Sequence, residues 1–192
     1  MKTPEFSIGL TNPEEDAIEK AVSLLLSGGI VLYPSDTVYG ILCRADRMDS
    51  VKRLAKIKGY DRPRPFILIV DGLSMAESLT DGIDPEVREI LLLRWPGRLT
   101  FVLPAGNRCP EWVRGKDNTV ALRHPADALS EQLLKRCGIP LVSTSANHAG
   151  EDSSLSISAI PDNIISGVDI VLNAGDLPQS SPSTIIKVLR QE

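Results

Sequence analysis

Ala17, Ile18, Ala21, Val22, Leu24 and Leu25 recur at three- and four-residue intervals, which predicts an amphipathic helix that stops at Gly28-Gly29. Asn12-Pro13-Glu14-Glu15 ahead of it read as an N-cap, a first-turn proline and a capping-box glutamate. The pattern then changes. Short apolar runs at 30–32, 41–43 and 66–70 predict strands, the last of them apolar throughout and so central in its sheet. A second helix is predicted over 49–57, a third from Asp84-Pro85-Glu86 to Trp95-Pro96-Gly97, and a fourth over 126–136. Further strands are expected at 99–103, 119–122, 141–143, 168–172 and 184–188. Helices and strands interleave, but the connections between them vary widely in length. That combination predicts an α/β domain built on a twisted, open, mixed sheet with flanking helices, rather than a regular doubly wound one. No repeat or linker interrupts it, so residues 1–192 are expected to form one domain.

Composition narrows the function classes. The chain is 42% hydrophobic and 24% charged, ordinary for a soluble globular protein. Aromatic residues make up only 4%, which leaves few platforms for stacking unpaired bases. A net charge of −4 argues against a surface that coats nucleic acid, while leaving room for a local basic cleft. Three cysteines without C-x-x-C spacing read as reduced thiols, and two histidines are too few for a His-rich metal site. No basic-then-apolar leader pattern and no apolar run of membrane length are present, so a cytoplasmic location without membrane association is expected.

The candidate chemistry gathers at strand ends. Tyr33-Pro34-Ser35-Asp36-Thr37-Val38-Tyr39-Gly40 follows an apolar run with far more hydrogen-bonding capacity than a turn requires. Leu141-Val142 gives way in the same manner to Ser143, Thr144, Ser145 and Asn147, and Ser183-Thr184 precede the last expected strand. In open α/β sheets ligands collect beyond strand ends, where loops offer N–H groups and small polar side chains, although serine-rich turns also occur for structural reasons alone. Arg123 ends an alternating strand, where it could clamp a carboxylate in a bidentate fork or form a strand-end salt bridge. Between 52 and 64 lie Lys52, Arg53, Lys56, Lys58, Arg62 and Arg64 against one acid, Asp61. Most such runs are solvated helix faces, but here prolines at 63 and 65 are expected to stiffen a cationic loop suited to a polyanion such as a nucleoside triphosphate. No G-x-S-x-G elbow or paired His supports a serine nucleophile.

In order and spacing, "GGIVLYPSDTVYGI", "KGYDRPRPFILIV", "RWPGRLTFVLP", "TVALRHPAD", "PLVSTSANHAGEDSS" and "PSTIIKV" resemble the YrdC/TsaC family of threonylcarbamoyl-AMP synthases, over about residues 13–189. The resemblance implies a YrdC-like fold with a large, concave, cationic face, in its short single-domain form. It implies a nucleotidyltransferase that makes L-threonylcarbamoyladenylate and pyrophosphate from L-threonine, bicarbonate and ATP. Downstream transferase proteins would then modify adenosine 37 of tRNA, and contact with tRNA itself is a possible addition. By similarity, Lys58 and Arg62 are the catalytic, ATP-contacting cations. Thr119, Ser145, Asn147 and Ser153 fall on the nucleotide side, and Thr37, Arg123, Ser143 and Ser183 on the threonine side. Mg2+ would arrive on the ATP phosphates without dedicated protein ligands, which suits a site short of carboxylates. Where the family usually has Lys-x-Arg, this chain has Lys58-Gly59-Tyr60, with Arg62 and Arg64 two and four residues later and expected to take over. Two alternatives are a double-stranded RNA- or tRNA-binding paralogue with little or no synthase activity, and a carbamoyl-adenylate-forming relative acting on another carbamoyl donor.

Overall fold

Nine strands form one mixed sheet in a computed structural model that describes residues 2–62, 64–148, 150–180 and 183–188. In chain order the elements are β1 (Glu5–Ser7), α1 (Glu15–Ser27), β2 (Val31–Pro34), β3 (Tyr39–Arg44), α2 (Met48–Ile57), β4 (Ile67–Ile69), α3 (Leu73–Leu79) and α4 (Pro85–Arg94). Then follow β5 (Leu99–Pro104), β6 (Thr119–Arg123), α5 (Ala128–Cys137), β7 (Leu141–Ser145), α6 (Asp162–Gly167), β8 (Ile170–Asn173) and β9 (Thr184–Lys187). The strands lie in the order β1-β8-β2-β3-β7-β4-β6-β5-β9. The β2/β3, β3/β7, β4/β7 and β5/β6 pairs are antiparallel, and the β1/β8, β2/β8, β4/β6 and β5/β9 pairs are parallel. The mixed α/β sheet read from the uneven connections is the observed one.

Strand alternation divides the core in two. Leu32, Ile41, Cys43, Leu68, Leu122 and Val142 face one way and pack with Val51 and Leu54 of α2 and Ala76 and Leu79 of α3. Val31, Tyr33, Leu42, Ile69 and Leu141 face the other way, against Ile18, Ala21 and Leu25 of α1 and Leu129 and Leu133 of α5. On this second face α1 packs over β2 and β3. Ser143 and Ser145 lie two and four residues beyond Leu141, and Ile67 two before Ile69. They therefore share that face, and they line an open cleft. The apolar run at 66–70 is accordingly not buried throughout: Ile67 is half-buried at the cavity wall.

Local differences from the sequence pattern have local causes. Helix α1 starts at Glu15, after an extended Glu14 whose side chain makes no cap bond. The Glu14 carboxylate instead accepts from the Gly9 N–H at 2.7 Å, so the capping box expected from Asn12 does not form. Gly28, at φ 95°, closes the helix in the left-handed conformation that glycine adopts without steric cost. Strand β8 begins two residues later than expected, and β1, α3 and α6 are too short for a periodicity signal. Cys43, Cys109 and Cys137 are buried and free.

Candidate active site

The cleft has a volume of about 920 Å³. Its position follows from strand direction. Strands β4 and β6 are parallel neighbours, so the loops leading into them, 58–66 and 114–118, emerge at the same end of the sheet. Strand β7 runs against β4, pairing Ser143 with Ile67, and therefore delivers Ser145 to that end too. Arg123 and Ile69, paired at the finishing ends of β6 and β4, mark the other half. Arg62, Arg64, Arg114, Lys116 and Arg123 line the cavity, and no carboxylate does so among the described residues. A concave surface carrying five cations and several hydroxyls favours an anionic ligand.

Around Arg123, each predicted side chain is held by a neighbour. Arg123 itself, only 7% exposed, donates from Nη2 to both Asp36 carboxylate oxygens at 2.7 and 2.6 Å and from Nε to Gly97 O at 3.1 Å. Its Nη1 has no hydrogen bond among the described residues. The two sequence readings of Arg123 thus meet: it is a strand-end ion pair, and it also lines the cleft with one donor nitrogen uncommitted. A full fork on a ligand carboxylate would have to share Nη2 with Asp36.

Ser35 Oγ donates to Val38 O at 2.7 Å and lies 3.0 Å from Thr37 Oγ1. With the Ser35 proton engaged, Thr37 donates to Ser35 and keeps its lone pairs for a ligand donor. Tyr33 Oη lies 3.0 Å from Ser143 Oγ, and Thr100 Oγ1 2.9 Å from Ser183 Oγ. Burial pushes the Tyr33 phenol well above its ordinary range, so it stays a neutral hydrogen-bonding group. The polar density of the 33–40 loop is now explained: Tyr33, Ser35 and Asp36 each orient a cavity-lining side chain.

The cationic run divides into separate jobs. Arg53 pairs with Asp169 at 2.7 Å and donates to Gly167 O, so it is engaged by the segment before β8. Lys58 is 3% exposed and does not line the cavity. Its Nζ donates to Ser145 O at 2.7 Å, to Asn147 Oδ1 at 3.0 Å and to Asn147 O. An ammonium has three protons, and these acceptors take all three. Burial pushes Lys58 down to about 8, with Glu151 pulling in the opposite direction. Lys58 therefore ties down the 145–147 turn from behind, and the expected phosphate contact is not part of this geometry. Asn147 belongs to the same tether, accepting from Ser145 Oγ and donating to Glu151 O.

Ser145, Ser153 and Arg62 do line the cleft, whereas Thr119, on the same strand face as Arg123, is not among the residues that line it. A methyl group on Gly115 would meet Thr119 Oγ1 at 2.7 Å, which explains a residue without a side chain there. Pro63, counted from sequence as a stiffener, lies outside the described residues, as do Ser181 and Pro182. Arg64 is instead placed by stacking, its guanidinium 4.5 Å from the centre of the Tyr60 ring, which in turn leans on Phe66. Tyr60, the departure from the Lys-x-Arg pattern, positions a neighbouring arginine.

Sequence reasoning missed Arg114 and Lys116 in the cavity wall, and Tyr33, Asp36 and Thr100 as orienting groups. "VRGKDN" reads as an ordinary solvated loop, and nothing in the local pattern marks it out.

A sequence profile of the Sua5/YciO/YrdC group, described as "Telomere recombination", matches residues 23–192. The chain belongs to this family. Threonylcarbamoyl-AMP synthase of Xanthomonas campestris pv. campestris is 34% identical over 174 residues, covering 88% of this chain and 93% of the relative. The synthase of Methylobacillus flagellatus is 37% identical over 126 residues, 66% of this chain and 70% of the relative. Among solved structures, P. abyssi Sua5 complexed with L-threonine superposes with a TM-score of 0.89 at 28% identity. That match covers 97% of this chain and 54% of the P. abyssi chain, so this chain spans about half the length of that family member.

Proposed function

We propose that this Sua5/YciO/YrdC family member is an L-threonylcarbamoyladenylate synthase. The observation that carries the reading is the division of one cleft, lined by no carboxylate among the described residues, into a half with oriented hydroxyls around a buried arginine and a half with exposed cations. The first half suits a small amino acid, the second a nucleoside triphosphate. L-Threonine sits with its carboxylate at Arg123 and its polar groups among Thr37, Ser143 and Ser183. Its neutral amine adds to the carbon of carbon dioxide from bicarbonate to form a carbamate, the amine proton and the bicarbonate hydroxide leaving together as water. A carbamate oxygen then attacks the α-phosphorus of ATP, a new P–O bond forms, the bond to the β-phosphate oxygen breaks, and pyrophosphate leaves.

Nothing in this step needs a covalent enzyme intermediate. The chain's contribution is to hold two anions within reach and offset the charge that develops on phosphorus and the leaving group. Arg62 and Arg64 contribute that charge, while Lys58 keeps Ser145 and Asn147 in place. Among the described residues the cavity wall offers no carboxylate, so these residues would not hold Mg2+ directly, and any Mg2+ would come as part of the ATP complex and help offset phosphate charge. The mixed anhydride is reactive and calls for a transferase that passes the threonylcarbamoyl group to adenosine 37 of tRNA. Among the described residues no helix is long and apolar enough to cross a membrane, and a cytoplasmic place beside that transferase fits the chemistry.

The test is direct. Purified protein incubated with ATP, bicarbonate and labelled L-threonine should release pyrophosphate and form the labelled adenylate, both dependent on threonine. Absence of both products, with double-stranded RNA or tRNA bound in the cleft, would replace this reading with the RNA-binding one.

A further inference from the structure

We infer that Lys116 is a third phosphate-binding cation of the cleft, placed to hold the distal phosphates of the nucleotide and then the pyrophosphate that leaves. The inference rests on the synthase reading and adds a residue that the sequence motifs leave out. Loops 58–66 and 114–118 lead into adjacent parallel strands, so Lys116 stands at the same end of the sheet as Arg62 and Arg64 and lines the same cavity.

The loop that carries Lys116 is fixed on every side except that residue. Arg114 donates to Cys109 O at 3.0 Å and to Asn118 Oδ1 at 3.0 Å. Gly115 N donates to Thr119 O at 2.8 Å, and Asn118 N to Gly115 O at 3.1 Å, with Asn118 at φ 53°. Asp117 pairs with Lys187 of β9 at 2.9 Å. Lys116 has no salt bridge or hydrogen bond among the described residues, and its side chain is exposed at the cavity. A hydrogen-bonded loop thus presents an ammonium without a hydrogen bond or salt bridge, next to an Asp117 already paired with Lys187, to a cleft that no carboxylate lines among the described residues.

Chemistry favours the distal phosphates. Lys58 is engaged behind the wall, and Arg62 and Arg64 alone do not neutralise a triphosphate. A flexible four-carbon stem at the rim is the usual way to place a point charge on mobile phosphate oxygens, whereas arginine forks fix geometry. Such a contact acts on ATP and pyrophosphate and leaves AMP and threonine untouched.

Calorimetric titration of the full chain with ATP, pyrophosphate and AMP tests this for the parent, Lys116→Ala and Lys116→Arg. Lys116→Ala should bind ATP and pyrophosphate about ten-fold more weakly. AMP affinity and threonine KM should stay within about two-fold, and Lys116→Arg should recover most of the loss. Unchanged ATP affinity in Lys116→Ala, or an equal loss for AMP, overturns the assignment while leaving the synthase reading in place. A parent protein that neither binds ATP nor forms the adenylate overturns that reading and this inference with it.

Discussion

The two halves of the cleft are built on opposite plans. In the half around Arg123, Thr37, Arg123, Ser143 and Ser183 are each held by a second residue, namely Ser35, Asp36, Tyr33 and Thr100. At the start of β4 and β6, among the described residues, Lys116 has no hydrogen bond or salt bridge and Arg64 has only an aromatic face. Under the proposed function, the difference matches what each half would recognise. A small amino acid of fixed shape is selected by donors and acceptors that cannot rotate, because an unsatisfied buried group costs more than a good contact gains. A flexible triphosphate needs charge density and reach, which exposed side chains provide.

That contrast can be broken most severely at Asp36. Its ion pair with Arg123 is nearly buried, with side-chain exposures of 9% for Arg123 and 13% for Asp36. Asp36→Ala leaves a buried guanidinium without its counter-ion and should lower unfolding stability by about 3 kcal/mol. Threonine KM should rise about a hundred-fold and ATP KM less than three-fold, in proportion to a lost charge-assisted bond. Asp36→Glu should recover part of the threonine loss. Equal damage to both substrates in steady-state kinetics would show that the two halves do not function separately.

Lys58 links the halves to the rest of the fold, and Lys58→Met should weaken ATP binding about ten-fold by releasing the 145–147 turn. A pH dependence accompanies it. The unfolded chain holds the Lys58 proton up to 10.5, whereas the folded protein gives it up at about 8. Between those values the unfolded state binds more protons, so the contribution of Lys58 to stability rises with pH. Denaturant unfolding from pH 7.5 to 10 should show parent stability climbing relative to Lys58→Met. A constant difference across that range would mean the ammonium is not desolvated.

A smaller effect sharpens the oriented half. Tyr33→Phe removes one hydroxyl from Ser143, worth about 1 kcal/mol, and should raise threonine KM roughly five-fold without changing ATP affinity. Any comparable change for ATP would place Ser143 on the nucleotide side.

The smallest effect is expected at Tyr60. Tyr60→Arg removes the ring under Arg64 and puts a second cation beside it, so pyrophosphate release should stay level or fall about two-fold. A clear gain in rate would show instead that the half built from exposed cations is short of charge, and that Arg62 and Arg64 do not replace the missing guanidinium.

Much of this architecture was legible in the chain. The 3.6-residue spacing of apolar positions predicted α1, and short continuous apolar runs predicted the central strands, because burial of one helix face and of both strand faces imposes those patterns on the residues themselves. Hydroxyl clusters at strand ends predicted where Thr37, Ser143, Ser145 and Ser183 would gather, since strand ends project loops into a common space. The sequence could not separate the cations of 52–64 into jobs. Arg53, Lys58 and Arg62 look alike in one dimension, yet one pairs with Asp169, one is buried beneath Ser145 and Asn147, and one lines the cleft. Their roles depend on groups more than 80 residues away in the first two cases, brought close only when β7 and β8 take their places in the sheet. Lys116 and Arg62 are separated in sequence but come to one rim because β4 and β6 are parallel neighbours. Local patterns record which side chains must be buried; strand order and direction decide which of the remaining ones meet.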